Sequence, residues 1–197
     1  MPKDLVNQIL IFRMAPNKQL NVDIQSISII DSIIINQKHA AIFANWIDRK
    51  QGKSNYKFSL LYRDRRDGNT AAAFHAKCDN KGATIIVAKI TNSEQIIGGY
   101  NPLSWDSSNS GKPTKDSFIF SFTDKNDLKS ANVVYSKGGQ HSIYCLTYCG
   151  PVFGSGGDLG INYSDKKWHS YVGDYPTLNF PNSIDVDDYE VFQVIKK

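Results

Sequence analysis

The sequence predicts an α+β protein that is mainly β, with an antiparallel sheet core flanked by a few short helices. From residue 57 onwards the chain consists of short alternating or apolar runs, each bounded by Gly, Pro, Asn, Asp or Ser. This pattern is typical of antiparallel strands separated by turns. Three segments before residue 80 have apolar residues at helical spacing instead, and they account for the helical part.

Composition places the chain among globular proteins. Its 197 residues fit one domain with an extension, and 41% hydrophobic residues provide enough apolar surface for a core. The 23 basic and 19 acidic side chains are interleaved, so the charge of +4 does not predict nucleic-acid binding. The sequence has neither a signal-peptide pattern nor a run of about 18 apolar residues. With three cysteines, an odd number typical of reduced thiols, we expect a cytoplasmic protein without membrane insertion.

The amino end is expected to form a helix and a linker over residues 1–27. Apolar residues lie at helical spacing in "KDLVNQILIFRM", and the polar segment "APNKQLNVDIQ" after it contains a proline, as linkers do. The segment "HAAIFANWIDRK" carries an apolar stripe and predicts a helix near residues 39–50, ended by Gly52.

A further helix is predicted near residues 70–78, where Asn69 or Thr70 can cap "NTAAAFHAKC". In "FIFSF" the three phenylalanines lie on one face, which is how a strand covers an apolar layer. The segments assigned to strands are "KFSLLYR", "ATIIVAKI", "QIIGGY", "DSFIFSF", "NVVYS", "SIYCLTY", "DLGINYS" and "DYEVFQVI".

Two glycine positions are predicted to be turns or bulges that folding requires. They are Asp67-Gly68 and Gly98-Gly99, because glycine alone freely adopts positive φ. The segment "FGSGGDLG" predicts a tight glycine loop and not a dinucleotide site, because Leu159 occupies the last glycine position of G-x-G-x-x-G and no helix follows. The acidic run "DVDDYE" lacks the frame of a calcium loop and is expected to be a solvated approach to the last strand.

His75 and Cys78 share one face of the helix near residues 70–78 and are the candidate redox residues. A histidine beside a cysteine can lower the thiol pKa and create a nucleophile or a peroxide sensor. The alternative, which we favour, is that Cys78 is a small buried apolar side chain and that His75 bonds a backbone carbonyl.

The other two cysteines, Cys145 and Cys149, belong to "SIYCLTYCG", whose β-branched and aromatic content predicts an extended strand. Four residues of strand span about 13 Å, which is too far for two sulfurs to bind one zinc ion. The sequence therefore predicts no metal site. It contains no nucleophile motif such as G-x-S-x-G, and we expect no catalytic residue and no cofactor.

Several segments, in the same order, resemble the TLDc domain of oxidation resistance proteins. The similarity runs from about residue 28 to residue 197 and implies a two-sheet antiparallel β-sandwich with a few helices at its flanks. The amino-terminal "PKDLVNQIL" is similar to the end of the helical region that precedes such domains in fungal proteins beginning with a BTB domain. The segments that carry the main resemblance are "FSLLYRDRRDGNTAAAFHAKCDNKGATIIVAKI", "IIGGYNPLSW", "FIFSF", "FGSGGDLGI" and "YEVFQV".

The resemblance implies a non-catalytic interaction module with a protein partner, monomeric as an isolated domain. Several TLDc proteins bind the vacuolar proton-pumping ATPase and regulate its assembly, and the family is linked to protection from oxidative stress. Two alternatives remain open. One is a thiol-based antioxidant or redox sensor that uses Cys78, and the other is the substrate-receptor domain of a BTB ubiquitin-ligase adaptor.

Recognition by a β-sandwich is expected at the loops at its ends, because loop residues escape the packing constraint. The loops richest in recognition chemistry are "RDRRDGN", with both charge signs around a glycine, and "FGSGGD", whose glycines expose backbone amides. Arg63 could equally form an ion pair at the sandwich edge. The candidate partner-binding residues are Arg63, Arg65, Arg66 and Asp158.

Overall fold

A computed structural model describes residues 29–50, 55–164 and 166–197. Within these residues, twelve strands form two antiparallel sheets of six strands each, accompanied by three helices. The predicted α+β, mainly β fold with two antiparallel sheets and a few short helices is confirmed. The helix and linker predicted for residues 1–27 lie outside the described residues and stay predictions.

The two sheets differ in strand length. The first contains, in spatial order, β1 (Tyr56–Arg63), β12 (Val186–Lys196), β2 (Thr84–Ile90), β3 (Ile96–Asn101), β5 (Phe118–Phe122) and β6 (Ala131–Tyr135). The second contains β11 (Ser183–Ile184), β10 (Lys167–His169), β9 (Leu159–Asn162), β8 (Cys149–Phe153), β7 (Ile143–Cys145) and β4 (Ser110–Lys112). The long closing strand β12 lies between β1 and β2, so the two ends of the domain meet in one sheet.

The first helix, α1 (Gln37–Asp48), begins and ends slightly earlier than the predicted range 39–50. It begins after Asn36, whose side-chain oxygen accepts hydrogen bonds from the backbone of two following residues. It ends where Arg49 adopts a left-handed conformation with φ 51°. The predicted terminator, Gly52, lies outside the described residues.

Two short helices connect β1 to β2. The first, α2 (Asp64–Asp67), is one turn long, and the second, α3 (Ala71–Cys78), is the predicted one. The Thr70 hydroxyl accepts a hydrogen bond from Ala73 N at 3.1 Å, so Thr70 is the N-cap of α3. None of the helices in the described ranges is both long enough and apolar enough to span a lipid bilayer.

The first sheet is buried on both faces, because α1 covers one face and the second sheet covers the other. On the α1 side, the Phe43 ring is fully buried and its centroid lies 4.8 Å from that of Phe120. Between the sheets, Ile119 and Phe153 belong to the second core cluster. The three phenylalanines of "FIFSF" therefore face α1 together, as the alternation predicts.

The sequence predicts turns or bulges at Asp67-Gly68 and Gly98-Gly99 because glycine adopts positive φ. This is confirmed for Gly68 and is wrong for Gly98 and Gly99. Gly68 has a φ of 105°, whereas Gly98 and Gly99 lie inside β3 and are not among the glycines with positive φ. At these two positions glycine is required because neighbouring atoms leave no room for a side chain. A Cβ on Gly98 would lie 2.0 Å from Ile86 O, and a Cβ on Gly99 would lie 2.6 Å from the Phe153 ring.

The expectation of a solvated acidic run before the last strand is only partly correct. Asp185 is exposed and Asp187 is half-buried, but Asp188 and Glu190 are 5% and 0% exposed. Both buried carboxylates are covered by segments that are distant in sequence. One Asp188 oxygen accepts a hydrogen bond from Arg65 N of α2 at 3.2 Å, for example.

The predicted extended strand through Cys145 and Cys149 is also wrong. Cys145 ends β7, Cys149 begins β8, and a turn closed by Cys149 N and Leu146 O at 3.2 Å separates them. An extended strand therefore does not hold the two cysteines about 13 Å apart, and strand length does not exclude zinc binding by them. In the described part of the chain, no group of three or more His, Cys, Asp or Glu side chains is arranged to hold a metal ion.

Candidate functional site

The outer face of the second sheet carries an open groove of about 390 Å³. It lies over β8 and β9 and is bordered by the turn between β7 and β8, the glycine loop at residues 154–157, and the end of β10. Its lining is aromatic, aliphatic and small, and no Lys, Arg, Asp or Glu of the described ranges is part of it. The aromatic residues of the lining are Tyr144, Tyr148, His169 and Tyr171.

The floor of the groove is shallow because β8 and β9 present small side chains there. Val152 lies opposite Gly160 in the register of these strands, and both line the groove. The neighbouring pair Phe153 and Leu159 points inward and is fully buried in the core between the sheets. Strand alternation thus separates a bulky inner face from an open outer face.

His75 holds the wall of the groove that carries Tyr148. Its Nδ1 lies 2.8 Å from an Asp79 carboxylate oxygen, and its Nε2 lies 3.0 Å from Leu146 O and 3.1 Å from Cys149 O. These two carbonyls flank the turn between β7 and β8, in which Tyr148 is 63% exposed. His75 therefore braces α3 against this turn, which agrees with the favoured reading that it bonds backbone carbonyls.

Asp158 holds the opposite wall. Its carboxylate accepts hydrogen bonds from the backbone N–H groups of Gly173, Asp174 and Tyr175 at 2.7, 2.8 and 3.2 Å. Burial raises the pKa of the Asp158 carboxyl, and these three donors act in the opposite direction. They tie the glycine loop to the segment after β10, which includes Tyr171.

The sequence predicts Asp158 as a residue that a partner can contact, but the structure shows that its side chain is buried. The residue is 4% exposed, and a Cβ on Gly154, which has a φ of 84°, would lie 1.8 Å from the Asp158 carboxylate. The loop folds back over this side chain because the carboxylate is its hydrogen-bond acceptor. The residues that reach solvent in this loop are instead Ser155 and Gly156.

Cys78 is packed in the core and makes no hydrogen bond with His75. The residue is 0% exposed, and burial, followed by the nearby Asp79 and Asp67 charges, raises the pKa of the Cys78 thiol. Burial likewise raises the pKa of the Cys149 thiol and raises that of Cys145 to about 11. A thiol that is buried and protonated is a poor nucleophile.

The rate of alkylation measures how accessible and how ionised each thiol is. Because a rise of its pKa from 9.0 to about 11 lowers the thiolate fraction of Cys145 about 100-fold at a pH of about 8, we expect Cys145 of the folded protein to react with iodoacetamide about 100-fold more slowly than in the urea-unfolded protein. Burial also raises the pKa of the Cys78 and Cys149 thiols, so both should react more slowly in the folded protein as well. Mass spectrometry of timed samples gives each rate. Rapid alkylation of Cys78 in the folded protein would contradict the buried assignment and restore the thiol-enzyme alternative.

Arg63 is part of the fold and not a free surface cation. Its Nε lies 2.7 Å from a carboxylate oxygen of the fully buried Glu190, and its Nη2 lies 3.5 Å from Asp31. The Arg63 side chain is 15% exposed. This is the ion pair at the sandwich edge that the sequence left as the alternative for this residue.

Arg65 and Arg66 are exposed on α2. The Arg66 guanidinium contacts the Asp67 carboxylate at 2.7 Å, whereas the Arg65 guanidinium makes no ion pair or hydrogen bond with the described residues. The turn that carries them is fixed, because the Tyr62 hydroxyl bonds Asp64 and Gly68 O at 2.8 Å each. The two arginines are thus presented by a rigid support.

The tyrosines of the groove are not among the candidate residues predicted from the sequence. Their spacing in the sequence nevertheless contains a signal. Tyr144, Leu146 and Tyr148 occupy every second position of "SIYCLTYCG", and His169 and Tyr171 do the same in "KWHSY". Such alternation predicts one shared face of a strand, but β7 ends at Cys145, and the turn after it brings Tyr148 to the groove. The sequence indicates neither this turn nor that the two segments adjoin.

Comparison with known proteins gives one family. A family model described as the TLDc domain matches residues 28–195. The search of curated proteins finds no match for the chain.

Proposed function

Because this chain belongs to the TLDc domain family, we propose that it is a non-catalytic protein-interaction module that acts in the cytoplasm. Its proposed partner is the peripheral sector of the vacuolar proton-pumping ATPase, and its proposed role is in protection from oxidative stress. Both come from the resemblance to the family.

The observation that carries the proposal is the exposure of Arg65 and Arg66 on the rigid turn α2. Arginine is enriched among the residues that dominate binding energy at protein interfaces. A support that does not reorganise lowers the entropic cost of association. The Arg65 backbone is also fixed, since its N–H donates to the buried Asp188.

The buried thiols support this proposal over the thiol-based alternative. An antioxidant or sensor requires an accessible thiolate. Cys78 is 0% exposed, and burial raises its pKa. His75, the residue expected to activate it, bonds Asp79 and two backbone carbonyls instead.

The test is the double variant Arg65→Ala/Arg66→Ala, measured for binding to purified peripheral ATPase sector by biolayer interferometry. We expect at least about a tenfold loss of affinity, because a few anchors carry most of the binding energy. The matched control is Lys38→Ala/Lys129→Ala, which removes two exposed cations elsewhere and should bind as the wild type does.

Two outcomes would contradict parts of the proposal. Unchanged affinity of the arginine variant, with its melting temperature preserved, would exclude α2 as the interface. Absence of binding by the wild type would exclude the ATPase sector as the partner.

A further inference from the structure

We propose that the groove on the second sheet binds an uncharged, proline-rich segment in the polyproline II conformation. The proposal deepens the interaction role, on which it rests, and concerns a surface separate from α2. It assigns a second binding site to the domain and states the chemistry of its occupant.

The absence of charge at the groove selects the occupant. None of the described residues that line it is acidic or basic apart from His169. Burying a charged side chain there would leave it without a partner, at a cost in desolvation. The complementary partner is therefore an uncharged segment with apolar rings.

The exposed tyrosines provide surfaces for proline rings. Tyr148 and Tyr171 are 63% and 46% exposed, which is unusual for large aromatic residues in this chain. The Tyr171 ring is further stacked on His169, with an interplanar angle of 8° and a centroid distance of 5.9 Å, so its orientation is held. Aromatic-lined grooves are the surfaces that proteins use to bind proline-rich segments.

The two tyrosines lie at opposite ends of the groove. Tyr148 lies beside the pair Cys149–Asn162 at one end of β9, and Tyr171 N donates to Gly157 O near the other end, at 2.8 Å. Polyproline II has three residues per turn, so prolines separated by whole turns lie on one face of the segment and face both rings.

Unused hydrogen-bond donors complete the match. The hydroxyls of Tyr144 and Tyr148 and the Nδ2 group of Asn162 line the groove and have no hydrogen-bond partner among the described residues. A polyproline II segment has no internal hydrogen bonds, so its carbonyl oxygens need donors. Donors on the groove and acceptors on the ligand therefore complement each other.

The probe is a capped peptide of three Pro-Pro-Leu repeats, titrated into the isotope-labelled chain and followed by two-dimensional amide NMR. We expect saturable shifts at Gly156, Gly157, Gly160 and Asn162. A peptide of three Gly-Gly-Leu repeats, which keeps the leucines but removes the rings and the preformed conformation, should bind at least about tenfold more weakly. Equal binding of the two peptides would overturn the assignment of polyproline II.

The site is tested with Tyr148→Ala/Tyr171→Ala, which should bind the proline peptide at least about tenfold more weakly than the wild type. The matched control is Val172→Ala, because Val172 is 75% exposed beside Tyr171 but does not line the groove. Both variants change exposed side chains, and a wild-type amide spectrum outside the groove verifies that they fold. Equal affinity of the tyrosine variant and the wild type would overturn the site.

The two proposals fail separately. If the wild type binds the ATPase sector but does not bind the proline peptide, only the groove proposal is overturned. Peptide binding that depends on the tyrosines, without binding to the ATPase sector, supports the groove proposal and overturns the choice of partner.

Discussion

Gly98→Ala is expected to destabilise the protein by about 3 kcal/mol or more, because overpacking a tight core typically costs 1–3 kcal/mol and occasionally more. The new Cβ would lie 2.0 Å from Ile86 O and 2.6 Å from the Phe120 ring. The carbonyl belongs to β2, which pairs with β3, so it cannot move without weakening the central ladder of the first sheet. Urea unfolding followed by circular dichroism gives the free energy of unfolding.

Gly99→Ala should cost less than Gly98→Ala. Its closest contacts are ring atoms of Phe153, at 2.6 to 2.9 Å, and a side-chain ring can shift more readily than a strand carbonyl. The matched control is Gly156→Ala, whose Cβ would lie 3.6 Å from the nearest atom, Tyr171 Cβ. We expect this surface change to cost less than about 0.5 kcal/mol. Similar stabilities for the variants at 98 and 156 would contradict the steric argument.

Glu190→Ala is expected to lower the free energy of unfolding by about 3 kcal/mol, since removing one partner of a buried ion pair leaves the other charge without compensation. Glu190 is 0% exposed and pairs with Arg63 at 2.7 Å. It also accepts hydrogen bonds from the Ser32 hydroxyl and from Ile33 N, the latter at 3.1 Å. The variant should therefore also release the segment before α1, which amide hydrogen exchange at residues 33–35 would detect.

A double-mutant cycle separates the pair from the packing around it. Arg63→Ala/Glu190→Ala should be more stable than the sum of the single losses predicts, because removing both charges leaves neither unpaired. Strict additivity would mean that the two side chains do not interact. Asp116→Ala is the control, because this acid is 77% exposed in its pair with Arg49 and exposed pairs contribute about 0–1 kcal/mol.

Local patterns in the sequence determined the secondary structure of much of the domain. The alternation in "FIFSF" predicted which face of β5 packs on an apolar layer, and α1 is that layer. Asn69 or Thr70 before an alanine run predicted the start of α3, and Thr70 is the N-cap. These features depend on residues within one or two turns of each other, so the sequence contains all the information that they require.

The reverse turn between Cys145 and Cys149 shows where local patterns were insufficient. Its β-branched and aromatic residues favour a strand, and the chain does form strands on both sides. The turn itself depends on distant groups. His75 contacts its two flanking carbonyls, and Asn109 accepts a hydrogen bond from Thr147 N at 3.0 Å.

Only the tertiary structure decided which polar residues are internal supports and which face solvent. Arg63, Arg65 and Arg66 are equivalent in the sequence, yet one pairs with Glu190, which is distant in the chain, and two are exposed. Asp158 is buried because three N–H groups of a later segment converge on its carboxylate. The sequence determined the strands, caps and alternating faces. Burial and pairing were decided by contacts between segments far apart in the chain, because a charge or a glycine acquires its role from the atoms that folding brings beside it.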